Sequence, residues 1–257
     1  MKNVPSLFTS FTPDLCPAWL CPSCYNQTLR IQAGSFHFDT SAASKKRVSR
    51  VDFDHWDVSY VFSGLLECTR LGCLETIAFL GEGWCDEKVL RTGEGIRADV
   101  INMFRAKVFI PPLPLFIEPE GCPPNIKEQL NVISSLLTGH PTAAANAIRS
   151  LLEVLLDDLG VPREEPRPGK PPRDLTLHER LKKGKPITGS HHDGMMALKL
   201  FGNAGSHGGT PIKQKHLEDA CSLLEQMVVH LYHRPGDVTS QVTRLTKAFS
   251  RKDKPDA

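Results

Sequence analysis

No run of apolar residues approaches the roughly 18 that cross a membrane, and the start lacks a basic leader with an apolar core and a small-residue cleavage site. These absences predict a cytoplasmic protein with no membrane partner. An excess of charge is missing too. The 31 basic and 29 acidic residues leave a formal net charge of +2, so any contact with nucleic acid must rest on local patches. There is no internal repeat, no phosphate-binding glycine loop and no carboxylate dyad, which weighs against a proficient enzyme.

What is present divides the 257 residues into two parts of different character. Residues 1–118 hold all three tryptophans and short runs of β-branched and aromatic residues. Strands are expected at Thr28–Phe38, Asp57–Cys68, Leu74–Leu80 and Asn102–Ile110, joined by Ser/Lys/Arg-rich or Gly-rich connections. Pro111, Pro112 and Pro114 close this part, because proline cannot donate to a strand ladder.

From residue 119 to 235 the apolar period becomes helical. Ile126, Leu130, Ile133 and Leu137 predict one helix, and Pro141 to Gly160 bracket a second. Further helices are expected at Thr176–Lys183, Ser190–His207 and Ile212–Tyr232. The proline-rich, charged stretch 161–174 reads as an exposed irregular loop, and 236–257 as a solvated basic tail.

Eight cysteines without a leader point to a reduced compartment and a metal site rather than disulfides. Cys21-Pro-Ser-Cys24 is one tight pair and Cys68-Thr-Arg-Leu-Gly-Cys73 a second. Four thiolates on two turns form the closed tetrahedral shell of structural zinc, with backbone amides turned toward the sulfurs. No coordination place would remain for a substrate. The insertion between the pairs, residues 25–67, exceeds the roughly 15 to 20 residues usual in such ribbons and is expected to form a long hairpin. Cys16 and Cys85 stand as competing ligands.

In the second part, Arg149 and Glu153 share a helix face at i, i+4, either as a functional pair or as an ion pair or packing bridge. Lys199, Asn203 and His207 fall at i, i+4 and i+8, so a cation, an amide and an imidazole line one side of the next helix but one. His191, His192 and Asp193 suit a solvated helix start better than a metal site.

The order Arg149-Ser-Leu-Leu-Glu153, then Gly202-Asn203-Ala-Gly-Ser-His207, resembles the HEPN-like family known as domain of unknown function 4145, which often follows a CxxC/CxxxxC ribbon. The resemblance implies an α+β chain: a β-rich zinc-ribbon-like domain, then an all-α HEPN-like bundle that forms a homodimer. It also implies a place in bacterial defence or stress response. In the wider superfamily, paired Arg and His side chains cleave RNA without metal, which makes His207 the acid/base candidate and Asn203 a positioning group. Lys199 stands where the family has arginine, and lysine lacks the planar fork that grips phosphate. That departure favours a dimeric module binding RNA, nucleotide or a protein partner, with a metal-independent endoribonuclease as the alternative.

Overall fold

The computed structural model describes residues 3–48, 50, 52–92, 95–207, 210–233 and 239–249, of which 89–92, 95–97, 207, 239–241 and 248 are described through their backbone alone. The first part comprises α1 (Asn3–Leu7), β1 (Leu29–Ile31), β2 (His37–Thr40), α2 (Ala42–Arg47), β3 (Ser59–Cys68), β4 (Thr76–Thr92) and β5 (Gly95–Ile110). The second comprises α3 (Pro124–Leu137), α4 (Pro141–Asp158), β6 (Glu164–Arg167), β7 (Lys170–Asp174), α5 (Leu177–Thr188), α6 (His192–His207), α7 (Gln214–Tyr232) and α8 (Thr239–Phe249). The fold class is α+β, an antiparallel sheet followed by helices.

Along β3 the apolar residues alternate, so that Phe62, Leu66 and Cys68 face inward while Val61 and Leu65 face out. The strand order is β1-β3-β4-β5, and β2 shares the β3 edge with β1. In a flat sheet β2 and β5 would lie about 14 Å apart. Yet the rings of Phe36 and Phe38 reach Phe104 of β5 at 5.0 and 5.1 Å. The sheet therefore curls, and Phe11, bridged to Phe104 through both backbone hydrogen bonds, extends the far edge.

Glycine makes the curl possible. Three cross-strand pairs set glycine opposite phenylalanine: Phe62 with Gly81, Gly64 with Phe79, and Gly83 with Phe104. A Cβ on Gly64, Gly81 or Gly83 would meet the facing ring at 2.8, 2.8 and 2.6 Å, so each ring packs directly against bare backbone. Trp19, fully buried, packs edge-on against Phe11, Phe79 and Phe109 and fills the interior.

Two strand expectations change. Thr28–Phe38 is two strands rather than one, separated by a turn in which Gly34 takes a φ of +73°. The glycine- and charge-rich stretch expected to connect strands after Leu80 instead continues β4 to Thr92, and β5 starts at Gly95. Beyond Trp84, the last β4 residue paired with β3, these two strands run on as a two-stranded ribbon.

One bulge couples the sheet to the helices. Leu80 pairs with Val108 and Gly81 with Ala106, leaving Lys107 as an extra residue. Its carbonyl accepts a hydrogen bond of 2.7 Å from Thr138 Oγ1 at the end of α3. The proline linker is itself core: Leu113, Leu115 and Phe116 are buried, and Asn3 and Ser134 donate to the carbonyls of Pro114 and Leu113. One apolar cluster runs from the sheet through this linker into the helices.

Helix α4 is central. Ala144, Ala145, Ile148, Leu151, Leu152, Leu155 and Leu156 are all buried, against α3, α5, α6 and α7. Helix α5 opens with a capping box between Thr176 and Glu179. The stretch 161–174 is not irregular: β6 and β7 form an antiparallel hairpin. Ion pairs hold it, with Arg173 between Glu165 and Glu179 at 2.9 Å each and Lys183 on Glu165 at 2.5 Å. The expected basic tail contains α8 at 239–249, while 236–238 and 250–257 lie outside the described residues.

Gly81 is the tightest of the three sheet glycines, since its added Cβ would also meet the Arg105 carbonyl at 2.1 Å. Gly81→Ala should therefore lower stability by about 2 to 3 kcal/mol in urea unfolding. An unchanged midpoint would refute the close approach.

Candidate functional site

Two constellations were expected to carry function, and the structure treats them differently. The sheet brings the first together. Knuckle one ends just before β1, which pairs Leu29 with Cys68, and knuckle two is the turn from β3 to β4. Strand pairing thus carries Cys21 and Cys24 across to Cys68 and Cys73, and the intervening insertion is filled by β1, β2, α2 and β3.

The four Sγ atoms lie within 4.8 Å of one another, with Cys21–Cys73 and Cys24–Cys68 at 3.7 Å. A tetrahedron with 2.3 Å metal–sulfur bonds has an edge of about 3.8 Å, so the cage has the size that a metal ion needs. Polar groups turn toward the sulfurs. Backbone N–H groups of Cys24 and Ser23 serve Cys21, those of Asn26 and Glu75 serve Cys24 and Cys73, and the Thr28 hydroxyl lies 3.1 Å from Cys68. In each knuckle the residue after the second cysteine, Tyr25 or Leu74, has a left-handed φ of +54° or +53°. That strain is retained where it aims the amides at sulfur.

Charge is uneven within the cage. Burial, only partly offset by the Cys24 and Ser23 amides, pushes the Cys21 thiol up to about 12. Against its own burial, the Asn26 backbone and side chain bring Cys24 down to about 6. The described residues contain no other group of three or more potential ligands this close. Cys16 and Cys85 stay outside it. Burial pushes Cys16 up to about 11, and Cys85 contacts Tyr60 Oη at 3.4 Å and Asn102 Oδ1 at 3.7 Å.

The second constellation is dispersed. Arg149 Nε donates to Asn203 Oδ1 at 3.1 Å, joining α4 to α6. Glu153 instead accepts from Arg180 at 2.5 Å, and Arg180 also donates to Asp157 at 2.7 Å and to the Val161 carbonyl at 2.8 Å. The Arg180 side chain is only 2% exposed, so this is a buried cation met by two carboxylates. Lys199 turns to α5, its Nζ 3.4 Å from His178 Nδ1. Burial and the neighbouring Lys199 and Lys182 lower the His178 pKa, which suits a neutral ring accepting from the ammonium. His207 ends α6, and its side chain lies outside the described residues.

Glycines again set the geometry. A Cβ on Gly202 would fall 2.5 Å from Arg149 Cβ, and one on Gly205 would fall 2.7 Å from the Thr142 carbonyl. The Gly-Asn-Ala-Gly-Ser run is thus the seam where α6 meets α4, fastened by Arg149–Asn203 and by Ser206 Oγ on Asn146 Oδ1 at 2.5 Å. An open cavity of about 500 Å³ lies beside this seam, lined by His140, Thr142, Asn146 and Gly205. Arg149, Glu153, Lys199 and Asn203 do not line it. Arg180 and Asn146 escaped sequence reasoning because their partners lie on other helices.

The chain thus joins a four-cysteine sheet to a helical unit. Two family models match it, both described as domains of unknown function: DUF8608 over residues 9–109 and DUF4145 over residues 131–251. The second covers Arg149–Glu153 and Gly202–His207 and agrees with the likeness to domain of unknown function 4145 read from them. The first spans all four clustered cysteines. No curated protein and no solved structure matches the chain.

Arg180→Met strands two carboxylates and should cost about 3 to 5 kcal/mol in thermal or urea unfolding, whereas a small effect would contradict the buried network. The Asp157 carboxyl is held below its ordinary range, first by its hydrogen bond to Arg163, against burial, and then by Arg180. Its stabilisation is present above the unfolded carboxylate range and drains as pH falls through the lower folded value. Arg163→Ala should therefore move the acid-unfolding midpoint to higher pH, read by circular dichroism.

Proposed function

We propose that this chain is a homodimeric, non-catalytic recognition module, in which a zinc-clasped sheet is joined to an HEPN-like helical bundle and the ligand is RNA, a nucleotide or a protein partner. The observation that carries the reading is the use made of the family's polar residues. Arg149 and Asn203 bind each other, Glu153 serves Arg180, and Lys199 leans on His178. Side chains held in this way fasten helices; they are not free to meet phosphate oxygens in a transition state.

Zinc is the metal that best suits the cage. Four thiolates at tetrahedral spacing leave no open position, which fits a structural ion and gives it no part in turnover. The residues that would hold it are Cys21, Cys24, Cys68 and Cys73, and the ion would supply charge neutralisation that lets four crowded thiols ionise together. Among the described residues no helix is long and apolar enough to cross a membrane.

Elemental analysis of purified protein should find about one zinc per chain, lost in Cys24→Ser with Cys73→Ser. Iron in place of zinc, or no metal, would overturn the assignment. For the helical unit, purified wild type and His207→Ala should give the same background rate on RNA substrates. If His207→Ala abolishes a cleavage that the wild type performs, with fold and dimer intact by dichroism and light scattering, the chain is a ribonuclease.

A further inference from the structure

Helix α8 carries Val242, Leu245 and Phe249 at i, i+3 and i+7, a single stripe about 10 Å long. In its own chain that stripe faces solvent, the three residues being 55%, 61% and 80% exposed. An isolated helix of 11 residues is marginal in water, so this one calls for a surface to lie on. The charged side chains of α8 are Arg244 and Lys247, and the helix itself holds no carboxylate.

A groove of the opposite character runs along α7. Its floor is apolar, made by Val4, Leu20 and Phe116. Its wall is α7 from Lys215 to Glu225, which lines the groove with Glu218, Asp219 and Glu225. Lys215 is engaged by Asp219 at 2.9 Å, so the wall remains net acidic. The groove encloses about 550 Å³. Its wall rises about 15 Å along α7, and α8 is about 16 Å long. The two surfaces match in length, in apolar content and in charge.

We propose that α8 of each subunit lies in the α7 groove of the other, with Val242, Leu245 and Phe249 on the apolar floor and Arg244 and Lys247 against Glu218 and Glu225. The second copy is favoured over the same chain because in its own chain the α8 stripe faces solvent and leaves the groove open. The exchange is reciprocal, so it closes as a two-fold dimer and leaves no free end to propagate. The proposal rests on the dimeric reading above and adds the surfaces that meet.

Size exclusion with light scattering tests it. Wild type should run at twice the 28.5 kDa chain mass. Leu245→Asp with Phe249→Asp, and separately Glu218→Lys with Glu225→Lys, should each halve the mass while the dichroism melt stays in place. Adding Arg244→Glu and Lys247→Glu to the second pair should restore the dimer, which only direct pairing achieves. If wild type is a monomer, the dimeric reading fails and this proposal with it. If wild type is a dimer but the variants also stay dimeric, or the charge swap does not restore the mass, the α8 exchange alone is overturned.

Discussion

The contact on which this molecule depends is a phenyl ring packed directly against a backbone without a side chain. Phe62 on Gly81, Phe79 on Gly64 and Phe104 on Gly83 recur on successive strands. Each pair removes the Cβ that would hold neighbouring strands in a flatter arrangement and replaces it with aromatic area. The resulting curl brings β2 toward β5 and encloses Trp19, while the pairing of β1 with β3 places both cysteine turns at the end of β3 where Cys68 pairs with Leu29. The sulfur cage is a consequence of strand pairing as much as of cysteine spacing.

The helical unit reuses the same device with different partners. Gly202 and Gly205 let α6 approach α4 closely, and the approach brings Asn203 onto Arg149 and Ser206 onto Asn146. Arg180 then locks α5 to α4 from within the core. Removing a buried arginine's charge, or either carboxylate, leaves the remainder uncompensated, so these positions are coupled in energy as well as in space.

The cysteine quartet was legible in the sequence because thiol spacing in two tight turns reports directly on ligand geometry, and the helices because their stripes keep a 3.6-residue period. The β4–β5 ribbon was hidden by Gly81, Gly83 and the charges that follow, which resemble a loop until the rings over those glycines are seen. The hairpin at 164–174 was hidden for another reason. It buries almost nothing, and its support comes from Arg173, Glu165, Glu179 and Lys183, an ion network that no apolar pattern announces. Glu153 looked like the partner of Arg149 four residues away, but Arg180, 27 positions further on, takes it once α5 packs down.

The bulge at Lys107 bears on the order in which the chain can mature during synthesis. Residues 11–109 contain both the aromatic interior and all four clustered sulfurs, so this half can close while later residues are still within the ribosome. Until Thr138 emerges, however, the bulge carbonyl has no hydroxyl to accept from, and Leu113, Leu115 and Phe116 have no helix to lie under. The nascent sheet thus carries an unfinished apolar strap for the span of one helix.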